Sequence, residues 1–169
     1  MPIAPLSPTV GFSAAATHPA ADATSLLPTR ETVLDRLAER MPMADQQAGT
    51  LLILGLLRRD DGWPTPRSTL AAVTTLLARS VRGDDWLASS GPAEFVVLMW
   101  GPVAAAETVA DRLVTAVADL DVPGLAASAG IAALAPGLAP GEVLRRATLS
   151  LTAARQQGAR SIIRYREAA

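Results

Sequence analysis

The chain has no cysteine and no lysine, and only one histidine, one tyrosine and two phenylalanines stand among its 169 residues. The missing thiols exclude disulfides, thiolate chemistry and cysteine-ligated metals, and they fit a reducing compartment, so a cytoplasmic location is expected. The lone imidazole, His18, lies in an unpatterned stretch where nothing would hold a partner for it, which argues against histidine acid–base chemistry. All 15 basic residues are arginine, a usage that carries no mechanistic weight here. A net charge of −1 gives no general attraction for nucleic acid or an anionic membrane. No apolar run approaches the roughly 18 residues that a bilayer span requires. The N-terminus lacks the basic segment and continuous apolar run of a signal peptide.

Half of the residues are apolar and 18% are charged, a balance that favours one packed domain. Residues 1–21, rich in Pro, Ala, Ser and Thr and without a period, read as a flexible tail ahead of a domain at 22–169. Order begins near "LLPTRETVLDRLAERM". Thr29 can cap a helix there, Val33, Leu34, Leu37 and Met41 share one face, and Pro42 stops the run. The all-apolar "TLLILGLL" at 50–57 predicts a central strand buried on both faces. "RRDDGWPTP" follows as a loop, and 67–81 has Leu70, Val73, Leu76, Leu77 and Val81 on one helical face.

"RGDD" then turns the chain into "WLASS", a Gly-Pro-Ala-Glu tip and "EFVVLMW", a β-hairpin. A helix is expected at 104–120, a strand of small residues at 125–134, a helix at 139–158 ended by Gly158, and a last strand at 161–165. The order α, β, α, β, β, α, β, α, β predicts an α/β sandwich around a mixed five-stranded sheet.

Five local words in this order resemble the GGDEF domain family, the diguanylate cyclases. "DATSLLPTR" is similar to the family's opening D-x-L-T-x-L-P-N-R, and "LLILGLL" stands where its first strand reads L-L-x-D-x-D. "GPAEF" stands in the place of the signature itself, "ASAGIAAL" resembles S-I-G-V-A, and "RRATLSLTAARQQGARSII" resembles the closing helix and strand. The match runs from about residue 22 to 165.

The resemblance implies a domain that condenses two GTP molecules into cyclic di-GMP with Mg²⁺, but the residues at its key positions have changed. A triphosphate needs its charge neutralised by a cation held through oxygen ligands. The two metal-ligand positions implied by the family hold Gly55 and Ala93, which offer no side-chain oxygen. The base-reading acid falls at Arg67, which can only donate hydrogen bonds, and its Asn partner falls near Trp63. Within the degenerate signature Gly91, Pro92, Ala93, Glu94 and Phe95, the second glycine has become a proline with no N–H and with φ near −65°. Arg155 replaces a phosphate-binding lysine, and Ala159 replaces the following arginine. Without a metal beside it, Glu94 is expected to be a solvent-facing strand residue. No cyclase activity, no Mg²⁺ and no other cofactor are therefore expected.

One further family element, an R-x-x-D product site that ends five residues before the signature, is matched by Arg82 and Asp85, with Arg112 in place of an arginine on the next helix. Arginine can chelate a phosphate and aspartate can accept from a guanine edge, so the resemblance implies a cyclic di-GMP receptor in signalling, with ligand bridging two copies. Each residue also has a structural reading: Arg82 as a helix C-cap, Asp85 as a turn residue, Arg112 as a solvated helix residue. A nucleotide-independent module that binds a protein partner or a second copy of itself is the alternative. Trp86 is expected to cover a sheet edge, and Trp100 to lie in the core or at its rim.

Overall fold

Eight consecutive buried residues, Gly49–Leu56, form β1, the middle strand of the sheet. The computed structural model describes residues 26–57 and 64–167. The expected tail at 1–21 with His18, and the loop segment 58–63 with Trp63, lie outside the described residues.

The other elements are α1 (Arg30–Arg40), α2 (Arg67–Ser80), β2 (Trp86–Gly91), β3 (Glu94–Trp100), α3 (Val103–Ala118), β4 (Ala127–Ala133), α4 (Pro140–Gln157) and β5 (Ile162–Arg164). The sheet order is β2-β3-β1-β4-β5, antiparallel throughout except for the parallel β4–β5 pair, whose crossover is α4. The mixed five-stranded sheet is the one expected.

Alternation of side chains along β1 splits the core into two layers. Leu52, Leu54 and Leu56 pack with Phe95, Val97 and Met99 against Val73 and Leu77 of α2 and the apolar face of α3. Leu51 and Ile53 pack with Val96 and Leu98 against Val33 and Leu37 of α1 and Val143, Leu144, Ala147 and Leu151 of α4. A strand buried on both sides is apolar at nearly every position, which is why its sequence shows no period of two; the buried Thr50 hydroxyl donates to the Gly101 carbonyl at 2.9 Å.

Local signals held with small differences. Thr29 is the N-cap residue of α1 in extended conformation, but its side chain makes no capping hydrogen bond. Helix α1 stops at Arg40 and passes into a 3-10 turn, Met41–Met43, with Pro42 inside it. Gly158 caps α4 with φ 106°, a conformation that side-chain-bearing residues rarely adopt.

The hairpin tip answers to its proline. None of Gly91, Pro92 and Ala93 has positive φ, so the turn is not of the mirror-image types that favour Asn-Gly. A register shift between Ser89 and Gly91 absorbs the resulting mismatch between the strands. The Ser89 hydroxyl donates to the Gly91 carbonyl at 2.9 Å and contacts the Glu94 carbonyl at 3.3 Å.

The first turn of α4 carries a forked ion pair. Glu142 accepts from Arg145 Nε at 2.7 Å and from Arg146 Nε at 2.8 Å, and Arg146 lies 4.8 Å over the Tyr165 ring. Hydrogen bonding by Arg145, then by Arg146, holds the Glu142 carboxyl at about 2, below its ordinary 4.5. The unfolded chain therefore takes up this proton first. The stabilisation is present above about pH 4.5 and drains away as pH falls toward about 2. Glu142→Gln is expected to flatten the pH dependence of the urea midpoint between about pH 5 and about pH 3. An unchanged slope would show that solvent screens the fork out.

Candidate functional site

Two clusters of polar residues gather at the places the sequence marks. The first lies at the C-terminal end of α2, where the chain leaves the helix and turns into β2. The Arg82 amide donates to Asp85 Oδ2 at 3.0 Å, and the Asp85 amide donates back to the Arg82 carbonyl at 3.1 Å. Asp85 is thus pinned in its turn through one carboxylate oxygen. The Arg82 side chain is exposed, with no hydrogen bond or ion pair found for its guanidinium among the described residues.

Arg112, on α3, donates from Nη2 to the Ser80 carbonyl at 3.0 Å. Helix α2 is therefore closed by Arg112 from a neighbouring helix, where the sequence offered Arg82 from the next turn as a cap. A guanidinium is well suited to this end of a helix, which carries partial negative charge. The three residues singled out by the sequence thus meet at one corner, two of them already hydrogen-bonded to the backbone.

A buried arginine braces this corner from beneath. Arg40, at the last turn of α1, is 5% exposed; it donates to the Leu98 carbonyl at 3.3 Å and to the Asp84 carbonyl at 3.1 Å. Its guanidinium lies 4.7 Å from the centre of the Trp100 ring. Burial is the main influence lowering its pKa, with Arg36 adding to it and Asp85 and Asp84 opposing. Trp86, on edge strand β2, is half-buried and packs on the α1–α4 layer, the edge-covering role expected of it. Periodicity gave no sign of Arg40, whose partners lie 44 and 58 residues away.

The second cluster joins β1, the hairpin and α4. Glu94 opens β3 directly opposite Gly55 of β1. It is a partly buried residue in an ion pair, not the solvent-facing one expected. Arg155 Nη1 donates to Glu94 Oε1 at 2.7 Å, and Ser90 Oγ donates to Oε2 at 3.2 Å. Arg155 Nη2 also reaches the Leu56 carbonyl at 3.4 Å. The physical reason is that α4 crosses over β4 and β1 and carries a cation to Gly55, one of the two β1 positions without a side chain. A Cβ on Gly55 would lie 2.6 Å from Arg155 Nη2 and 2.9 Å from both Cζ and Nε. A glycine interrupting an apolar strand was the available signal, since it marks close approach by another group.

Ala93 is half-buried and packs against the α2–α3 layer, while its carbonyl accepts from the Leu56 amide at 2.9 Å. Phe95, beyond it, is a core residue. Arg67 is exposed at the first turn of α2, where a positive charge opposes the helix dipole.

The Mg²⁺ implied by the resemblance does not fit these residues. It requires several oxygen ligands in near-octahedral geometry. Gly55 and Ala93 supply no side-chain oxygen, and the Glu94 carboxylate, among the described residues, is taken up by Arg155 and Ser90. Among the described residues no group of three or more His, Cys, Asp or Glu is placed to hold a metal ion.

No family model matches the sequence, and neither does any curated protein. Solved structures do. The isolated GGDEF domain of TpbB (YfiN) from Pseudomonas aeruginosa is 22% identical, with TM-score 0.73 over 85% of this chain and 92% of that one. The diguanylate cyclase SiaD from the same organism, in complex with its activator SiaC, is 22% identical with TM-score 0.74, covering 84% of this chain and 60% of SiaD. The GGDEF domain of DgcB from Caulobacter crescentus, in complex with cyclic di-GMP, is 18% identical with TM-score 0.74 over 83% of this chain and 90% of that one. At these identities the likeness speaks for architecture, and it agrees with the strand order and the hairpin described above: this chain has the GGDEF-domain fold.

Proposed function

We propose that this protein is a non-catalytic GGDEF-fold module, spanning 22–169 behind a short tail, that binds cyclic di-GMP in cytoplasmic signalling through Arg82, Asp85 and Arg112. The observation that carries this reading is the Arg82 guanidinium, exposed and without a partner among the described residues. It projects beside a turn that holds Asp85 with one oxygen engaged and leaves the other to accept from a guanine edge. Arg112 stands across the same corner. The complex of DgcB with cyclic di-GMP supports the ligand class. That no group of His, Cys, Asp or Glu among the described residues is placed to hold a cation supports the non-catalytic part, because GTP condensation needs its phosphate charge neutralised.

Charge-assisted hydrogen bonds contribute about 1.5–3 kcal/mol each, so two or three of them support a Kd on the order of micromolar after association costs. Calorimetric titration with cyclic di-GMP is expected to give such an affinity, weakened at least about tenfold in Arg82→Ala. The same protein given GTP and Mg²⁺ is expected to form no cyclic di-GMP. Absence of heat, or equal heats for wild type and variant, would dispose of the receptor reading; product formation would dispose of the non-catalytic one.

A second reading has its own observation. Asp85 Oδ2 and Arg112 Nη2 already have backbone partners, which suits a structural corner on a nucleotide-independent module that binds a protein partner or a second copy. Its mark is association, measured by light scattering or partner capture, that survives Arg82→Ala and Asp85→Ala and ignores cyclic di-GMP.

A further inference from the structure

We propose that the Arg155 guanidinium is the resident cation of this fold, permanently filling the place between β1 and the hairpin that a divalent ion would take. Glu94, Gly55 and Ser128 lie side by side on one rung of the sheet, on β3, β1 and β4, and directly opposed residues of antiparallel strands share a face. Ser128 is fully buried, and its hydroxyl has no hydrogen-bond partner among the described residues. The rung thus presents oxygen, bare backbone, oxygen. Across the bare position lies the guanidinium, with its Nη2, Cζ and Nε all within 2.9 Å of where a Cβ would stand.

Its contacts are those a cation makes. It bonds a carboxylate at 2.7 Å and reaches a backbone carbonyl at 3.4 Å. The pair is part-buried, with side-chain exposures of 33% and 24%, so solvent screens it only in part. A planar fork tethered to α4 differs from a dissolved ion in two ways. Its local concentration does not depend on the medium, and it cannot exchange. It also repels a second cation at contact distance. Gly55 is therefore more than the absence of a ligand, since a Cβ there would push the guanidinium off the strand while Glu94 still tethers it. An anion arriving at this corner meets one fixed unit charge, already shared with Glu94, where an exchangeable dication would bring two.

This inference rests on reading Gly55 and Ala93 as non-ligands, and the two fail differently. Cyclic di-GMP synthesis by the wild type overturns that reading, whereas Mn²⁺ binding at Glu94 overturns this one.

Mn²⁺ titration followed by electron paramagnetic resonance supplies the test, on wild type, Gly55→Asp and Gly55→Asp/Arg155→Ala. Wild type and the single variant are expected to bind no Mn²⁺ below about 1 mM, because Arg155 neutralises the carboxylates present. The double variant is expected to bind at least about tenfold more tightly than wild type, and to lose that gain when Glu94→Gln is added. Mn²⁺ binding by wild type that Glu94→Gln abolishes overturns the proposal, and so does a single variant that binds as well as the double. A double variant no better than wild type overturns it equally. A thermal cycle with Gly55→Ala guards against misfolding. This change is expected to lower Tm by about 5 °C beside Arg155 and by about 1 °C in the Arg155→Ala background. Equal drops in the two backgrounds count against a guanidinium seated on Gly55.

Discussion

Gly130→Ala is expected to lower the melting temperature by roughly 10 °C. Gly130 lies in β4 under α4. A Cβ there would stand 2.2 Å from the Leu151 amide nitrogen, 2.4 Å from the Ala147 carbonyl oxygen and 2.7 Å from the Leu151 Cα. These are backbone atoms in the middle of a helix, so no rotamer change can relieve the contact. Either α4 lifts from the sheet or β4 bends. Lifting α4 opens the layer in which Val143, Leu144, Ala147 and Leu151 pack on Leu51, Ile53 and Ala132. Overpacking costs about 1–3 kcal/mol where side chains can yield, and about 4 kcal/mol is expected here, where backbone must yield. Calorimetric or urea unfolding measures it. A loss below about 1 kcal/mol would mean that the helix rides over the strand with more slack than these distances allow.

The second large effect is at Arg40. Arg40→Met keeps the aliphatic stem but removes a guanidinium that serves the Leu98 and Asp84 carbonyls and lies on the Trp100 face. Two opposing terms decide the sign. Removing a buried charge recovers the cost of having dehydrated it, which burial of Arg40 and the nearby Arg36 make appreciable. Against that, two acceptors lose their donor, at about 1–3 kcal/mol each when buried, and a cation–π contact of about 1 kcal/mol is lost. The surroundings on balance disfavour the charge, but the two carbonyls are left without the donor that serves them, so the second set is expected to win. A net destabilisation of about 3 kcal/mol is expected, seen as a lower urea midpoint with unchanged slope. Because Asp84 belongs to the turn between Arg82 and Asp85, the variant is also expected to weaken cyclic di-GMP binding without touching the ligand. A variant as stable as wild type would show that dehydration of the arginine cancels its contacts.

Most of the architecture was legible locally. Val33 and Leu37 of α1, and Val73 and Leu77 of α2, recur at helical spacing and are core residues. The apolar run read at 50–57 forms the doubly covered strand, Gly49–Leu56, and the proline of the tip sits in a turn with negative φ throughout. Such features depend on neighbours a few residues apart. The candidate site was legible only as a set of types and positions. Arg82, Asp85 and Arg112 could be named, yet that Arg112 rather than Arg82 would close α2 depended on how α3 lies beside it.

Glu94 shows the limit most sharply. By sequence it was an acid that had lost its metal and had no reason to be anything but solvated. The chain alone determined that positions 55 and 93 carry no oxygen, that a carboxylate follows at 94, and that an arginine lies in the closing helix. Docking of α4 across the sheet decided that this arginine, 61 residues along the chain, would come to rest on the glycine and neutralise the acid. Composition and periodicity report what each residue can do, whereas an ion pair between distant elements depends on the relative placement of two rigid bodies, and only the packed core sets that placement.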